Sequence, residues 1–353
     1  MNANKRLRLG IIGCGRVAGE RHLPALRCLP DVQLAAVADI NTDQLSRFAD
    51  LCGITRCFTD YRQLLDCSDI EAVGIFTPTA SHAEIVMASL DANKHVMIEK
   101  PLALNLAECE RLISRASSSS CKVLVGLNLR WHRLLQRARK LIQDGELGRI
   151  KSIRSVFTHY RTGEDAPDWH RKRDSGGGVI FNEAVHHFDL WRYLLDTDVE
   201  QIFSYALKSP HYEDETLVAC ARLSGGALAT GIFTLKTSPN NELEIYGEKG
   251  RLLISLYRYD GIDFFSHDTY PGSIPGRIKA SMMRLIDLPE AIPVMRQGGD
   301  FAATFHNLWR HFTDCIFQDR PPACGLEEGM RALRISLAAA ESATSKLPIS
   351  LKA

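Results

Sequence analysis

No apolar run in this 353-residue chain approaches the roughly 20 residues that a bilayer-spanning helix requires; the longest are short pieces such as residues 34–38. No membrane span is therefore expected. The basic start (Lys5, Arg6, Arg8) is followed only by the apolar residues 9–12 before glycines interrupt, too little for the core of a signal peptide. The ten cysteines contain no C-x-x-C pair and no regular spacing, so they are expected to be reduced thiols of a cytoplasmic protein and not a disulfide framework. Neither sign of charge is in excess. With 43 basic against 42 acidic side chains and a net charge of +1, no global field exists to hold a polyanion, and nucleic acid is not an expected partner. The chain also lacks a G-x-S-x-G elbow, a Walker A loop, an H-E-x-x-H helix and any internal repeat.

What remains is ordinary globular composition, 45% hydrophobic and 24% charged, in a length that suits about two domains at roughly 150 residues each. Up to about residue 126, short apolar runs of strand length (7–12, 32–39, 72–77, 95–98, 122–126) alternate with helical patterns. Asn41, Ser81 and Asn105 stand where helix caps belong, and Ser81 with Glu84 has the capping-box form. Strands alternating with helices imply βαβ units on a doubly wound parallel sheet of the Rossmann type. After residue 127 the rhythm changes. A basic amphipathic helix (134–143) precedes longer strand candidates at 151–159, 199–209, 216–223, 227–236, 242–246 and 251–256, with a hairpin turn at 223–227. Few helices separate them, which implies an α+β domain with a large, mostly antiparallel, open-faced sheet. Residues 257–300 are rich in Gly and Pro and resist assignment, while 301–317 and 327–345 read as helices and 348–351 as a last strand. The expected division is a dinucleotide domain at 1–126 and a substrate-binding and oligomerisation domain at 127–353.

Three constellations carry chemistry. Gly13-x-Gly15-x-x-Ala18 follows the first strand and opens a helix, the context in which glycines permit a tight turn and close approach of backbone to a pyrophosphate. Arg16 and Val17 fall on the same turn. Asp39 ends the second strand, 24 residues beyond Gly15, where a carboxylate accepts from a ribose 2′-hydroxyl and repels a 2′-phosphate. This favours NAD over NADP. Glu99-Lys100-Pro101 follows the strand at 95–98, at the carboxyl edge where open α/β sheets bind ligands, so Lys100 is expected to meet a substrate oxygen.

The third constellation is Gly176-Gly177-Gly178 followed by Asn182, His186, His187 and Asp189. On a helix, Asn182 and His186 share a face at i,i+4, and Asp189 is placed to orient an imidazole. An amide and a histidine so placed can hold a substrate hydroxyl and take its proton; a capped helix with a buried histidine is the alternative. The histidines and Asp189 lack zinc spacing, so no metal is expected. The basic run 170–173 beside Trp169 reads either as a solvated loop or as a contact for an acidic or phosphorylated substrate.

Together, Gly13-x-Gly15, Glu99-Lys100-Pro101, Gly126-x-Asn128-x-Arg130 and Gly176-Gly177-Gly178 with His186 and Asp189 resemble, in order, the glucose–fructose oxidoreductase/inositol dehydrogenase (Gfo/Idh/MocA) family. Arg21-His22-Leu23-Pro24-Ala25 and Thr77-Pro78 with His82 are similar to its N-terminal domain. The resemblance implies a Rossmann domain joined to an open-faced α/β domain whose sheet makes a homodimer or homotetramer contact. It also implies bound nicotinamide cofactor, and hydride transfer at a hydroxyl or carbonyl carbon of a sugar, inositol or nucleotide-sugar. Lys100 and His186 match the family's catalytic lysine and histidine. Arg16, Val17, Thr77, His82, Glu99, Lys100 and Asn128 are expected on the cofactor side; Lys100, Arg130, Trp169, Asn182 and His186 are expected around the substrate. Several polyol-oxidising members carry aspartate where this chain has Asn182, and asparagine accepts no proton. An NAD-dependent glycosidase that recycles its cofactor and a non-catalytic NAD-binding regulator stand as alternative functions.

Overall fold

The computed structural model describes residues 6–351 apart from 165, 269, 271, 272 and 297; at 276, 277, 279, 280, 283–288 and 296 it describes the backbone alone. The chain forms two compact units, one of Met1–Asn128 with Phe305–Leu333, the other of Leu129–Thr304 with Arg334–Ala353. The units therefore do not follow a single cut near residue 126, because Phe305–Leu333 packs with the N-terminal part. Among the described residues no helix is long and apolar enough to cross a membrane.

The first unit is built on six parallel strands, β1 (Leu7–Ile12), β2 (Val32–Ala38), β3 (Cys57–Phe58), β4 (Ala72–Ile75), β5 (His95–Ile98) and β6 (Val123–Val125). Their order is β3-β2-β1-β4-β5-β6, which reverses direction between β1 and β4. Such a reversal opens a crevice at the carboxyl ends of the strands. β4 is buried at all four positions, as a sheet covered on both faces demands. Local chemistry sets the crossover helices. Asn41 caps Thr42–Cys52 by accepting from the amides of Asp43 and Gln44, and Asn105 caps Leu106–Ser117 through Glu108 N. The capping box expected at Ser81 does not form. Its hydroxyl donates to Thr77 Oγ1 and Pro78 O, and Glu84 instead accepts from Tyr61 and Arg62.

The second unit holds eight strands, β7 (Ile150–Tyr160), β8 (Val199–Leu207), β9 (Thr216–Leu223), β10 (Leu228–Thr234), β11 (Lys236–Gly247), β12 (Gly250–Ser255), β13 (Ile262–Ser266) and β14 (Ile349–Ser350). Their order is β13-β12-β11-β7-β10-β9-β8-β14, antiparallel throughout except for the β10–β7 pair. Within 257–300, the stretch that resisted assignment, lie β13 and a helix, Ile274–Arg296. In β9 and β10 buried and exposed residues alternate, so the sheet has one covered face. The helix Val185–Leu195 supplies that cover, with Trp191 Nε1 donating to Ser155 Oγ at 2.9 Å and Phe188 packing edge-on against Phe233. The other face leaves Tyr205, Val218, Leu228 and Ile232 exposed.

Candidate active site

At the end of β1 the backbone of Gly13 turns to φ +93°, and a Cβ there would lie 2.7 Å from the Phe76 carbonyl. Only glycine suits both conditions. The turn is tied down by the neighbouring strand, since Gly13 N donates to Ala38 O and Cys14 N donates to Asp39 Oδ2 at 2.7 Å. The second oxygen of Asp39 accepts from Asn41 N at 2.8 Å, so the carboxylate spans the glycine turn and the next helix cap. A helical run opens at residue 16, widens into a π-helical turn at Ala18–His22, and continues as Leu23–Arg27. Gly15 and Arg16 line an open groove of about 320 Å³ with Gln44, Arg47, Phe48 and Leu51. A Cβ on Gly15 would meet nothing nearer than 3.6 Å of protein, so its want of a side chain leaves space for a ligand and not for the fold. Helix-terminal amides, two glycines and an exposed Val17 beside a strand-end carboxylate fit a dinucleotide.

The carboxyl ends of β4 and β5 carry the second cluster. Fully buried His82 has Nδ1 at 2.8 Å from Pro101 O and Nε2 at 2.9 Å from Thr77 O, so it links the loops after both strands. Burial pushes its pKa below the ordinary histidine value, against the pull of both carbonyls and of Glu99. A neutral ring then donates to one carbonyl only. His82 supports the loops that carry Thr77 and Lys100. The Lys100–Pro101 peptide is cis, and Lys100 is half-buried. Glu99 also turns inward. Its Oε1 lies 3.0 Å from His22 Nε2, and its Oε2 accepts from Lys100 N at 3.1 Å. Burial pushes the Glu99 pKa up, but the His22 hydrogen bond and the charge of Lys100 outweigh it and hold the carboxyl below its usual range. Asn128, at the end of this unit, is buried.

In the second unit the three glycines fold a loop against itself. A Cβ on Gly177 would sit 2.5 Å from the backbone of Trp169 and His170, and Gly176 and Gly178 both have φ of +78°. The basic run is structural at Arg173, whose guanidinium forks onto the buried carboxylate of Asp214, and Arg171 donates to Glu164 O. Lys172 alone of these three cations is exposed. Asn182 is buried on a π-helical turn, Ile180–Ala184, and donates to His170 O at 3.3 Å, which joins it to the segment that carries Trp169. The turn runs straight into Val185–Leu195, where His186 is half-buried. Asp189 does not serve an imidazole. Buried Arg130 takes both its oxygens, at 2.7 and 2.6 Å, and lies over the ring of Tyr193. The same pair commits the Nε and Nη2 of Arg130 to the helix Val185–Leu195.

Comparison with known proteins decides the family. Residues 7–127 match the model of the oxidoreductase family with NAD-binding Rossmann fold (GFO_IDH_MocA), and 135–253 match the GFO/IDH/MocA C-terminal domain. The chain belongs to the GFO/IDH/MocA family. It is an NAD-binding oxidoreductase. It is 28% identical over 71% of its length to the myo-inositol 2-dehydrogenase of Thermotoga maritima, of which the match covers 76%. It is 29% identical over 71% of its length to a dTDP-3,4-didehydro-2,6-dideoxy-alpha-D-glucose 3-reductase of Actinomadura kijaniata, with 75% of that protein covered. Among solved structures, the WlbA dehydrogenase of Bordetella pertussis, in complex with NADH and UDP-GlcNAcA, superposes with a TM-score of 0.83 at 23% identity over 99% of both chains.

In this GFO/IDH/MocA chain the structure gives His22 a partner and adds Trp309, Arg161 and Glu183, to which no sequence motif assigns a role. His22 and Trp309 stand behind Glu99, with Trp309 Nε1 at 3.0 Å from His22 Nδ1. Arg161 pairs with Glu183, the neighbour of Asn182, at 2.8 Å. Neither pair has a signal in local spacing, since the partners are 287 and 22 residues apart along the chain.

Proposed function

We propose that this oxidoreductase is an NAD-dependent dehydrogenase or reductase acting on a hydroxyl or carbonyl carbon of a sugar, inositol or nucleotide-sugar. The observation that carries the reading is the placement of Lys100. It follows β5 at the carboxyl edge of the Rossmann sheet, beside a buried histidine bonded to the Pro101 carbonyl and a carboxylate that accepts from its main-chain amide. The named relatives, which include an inositol dehydrogenase and a sugar-nucleotide reductase, support the substrate range.

Bound NAD+ would accept the hydride in oxidation, and bound NADH would donate it in reduction. Lys100 steadies the substrate oxygen through hydrogen bonding and charge, and His186 takes the hydroxyl proton in the oxidative direction. Asn182 orients a substrate hydroxyl as donor or acceptor but moves no proton. Asp39 favours NAD over NADP by repelling a 2′-phosphate. The apolar row Tyr205, Val218 and Ile232, aligned across β8, β9 and β10, supports a homo-oligomer joined through this face. Ten free cysteines support a cytoplasmic site.

The test is NADH formation by the purified protein on a panel of sugars, inositols, sugar acids and nucleotide-sugars, followed by absorbance. Turnover with one class names the substrate. Cleavage of an aryl glycoside with no net NADH, or NAD binding without turnover in either direction, would overturn the proposal.

A further inference from the structure

Behind Lys100 lies a hydrogen-bonded line of side chains within the first unit. Trp309 Nε1 lies 3.0 Å from His22 Nδ1, His22 Nε2 lies 3.0 Å from Glu99 Oε1, and Glu99 Oε2 accepts from the main-chain amide of Lys100. An indole nitrogen can only donate, so His22 Nδ1 must accept and the ring proton must sit on Nε2. His22 then donates to Glu99. The ring is wholly buried, stacked on Phe76 at 3.9 Å and flanked edge-on by Phe305, so it cannot turn to exchange its nitrogens. Glu99 is thereby a carboxylate with a proton donor on each oxygen, adjacent to the reacting lysine.

We propose that Trp309 and His22 are positioning residues that act through Glu99 on Lys100: the indole selects the His22 tautomer that donates to Glu99, which keeps this carboxylate ionised and the neighbouring lysine in its ammonium form. The inference rests on the assignment of Lys100 as the residue that meets the substrate oxygen. Its logic is electrostatic. The charge of Lys100 helps to hold the Glu99 carboxyl in its ionised form, and by the same mutual attraction the carboxylate favours the ammonium form of Lys100. Among the described residues, His22 and Lys100 act on the charge of Glu99, and Glu99 in turn acts on His82; His22 itself meets Glu99 and the non-titrating rings of Phe76, Phe305 and Trp309. His82 is held by the carbonyls of Thr77 and Pro101 and is not part of the line.

Two measurements test the proposal, one of them independent of turnover. In protein labelled with 15N-histidine and 13C-lysine, His22 is expected in the Nε2–H form in the wild type. Trp309→Phe keeps the ring and removes the donor, and is expected to release His22 to a mixture of tautomers. In Glu99→Gln the Lys100 Cε resonance is expected to titrate at a pH lower by about one unit or more. Once a substrate is known, Trp309→Phe and Glu99→Gln should shift the basic limb of kcat to lower pH and reduce kcat roughly tenfold, while the Kd for NAD stays within about twofold. A His22 ring protonated on Nδ1 in the wild type, or a Trp309→Phe protein whose tautomer and Lys100 titration both match the wild type, would overturn the relay. Loss of thermal stability in Trp309→Phe without either spectroscopic change would assign these residues to packing alone. Failure of every substrate in the panel bears on the proposed function and leaves the spectroscopic result to decide the relay.

Discussion

Arg130 grips Asp189 through two parallel hydrogen bonds, Nε to Oδ2 at 2.7 Å and Nη2 to Oδ1 at 2.6 Å, with both side chains buried. The pair fastens the short turn Asn128–Trp131 to the middle of the helix that carries His186. Removing one member of such a pair strands the other charge in the interior. Asp189→Asn is therefore expected to cost about 3–5 kcal/mol of stability, read as a lowered midpoint in chemical denaturation. A change below about 1 kcal/mol would show that the Arg130 guanidinium finds another partner.

The two glycines of the β1 turn are expected to fail differently. Gly13→Ala strains a backbone at φ +93° and pushes its Cβ to 2.7 Å from a carbonyl, so it should destabilise the fold by about 1–3 kcal/mol. Gly15→Ala meets no protein atom nearer than 3.6 Å, so it should melt like the wild type and yet bind NAD weakly. Thermal scans and NAD titration on both variants separate the roles. Equal melting temperatures for the two would contradict the distinction.

Asp39 gives one oxygen to Cys14 N and the other to Asn41 N, and so keeps its position without the cofactor. Asp39→Asn retains an acceptor and loses the charge. The ratio of NADP to NAD affinity is expected to rise by about tenfold, equivalent to about 1.4 kcal/mol. Unchanged discrimination would remove Asp39 from cofactor choice.

His187 is buried among Phe157 and Phe233, and burial pushes its pKa down to about 3. The unfolded chain binds its proton near pH 6.5, the folded chain only far lower. Stability from this residue is therefore complete above about pH 6.5 and lost progressively as pH falls toward 3. Between pH 7 and pH 5 the loss is ~2 kcal/mol. His187→Phe should flatten that part of the curve, measured by denaturation at the two pH values. An unaltered acid limb would mean that other groups set it.

Much of this architecture is legible in local pattern. β1 and β9 coincide with the runs at 7–12 and 216–223, because six to eight residues dominated by apolar side chains and bounded by turn residues are a strong signal of a strand. β3, two residues long, has no period to detect. The helix Ile274–Arg296 contains Pro289 and Pro293, which in sequence argue against a helix. The glycine turn, Asp39 and Lys100 stand out because their roles depend on neighbours in sequence. The supports behind them do not. Trp309 reaches His22 and Arg130 reaches Asp189 through tertiary packing alone, so in sequence Asp189, three residues beyond His186, reads as a partner of histidine. Ser81 does not cap because it ends the short 3-10 turn Thr79–Ser81 in helical conformation, φ −96° and ψ −6°, and so lacks the extended backbone that aims a cap oxygen at the first amides.

The most direct test of the account replaces Lys100. On the substrate found by the panel, Lys100→Ala is expected to lower kcat/KM by about 100-fold or more, with the Kd for NAD, measured on the same samples, within about twofold of the wild type. A variant that binds NAD and turns over at the wild-type rate would contradict the assignment of Lys100 to the chemical step.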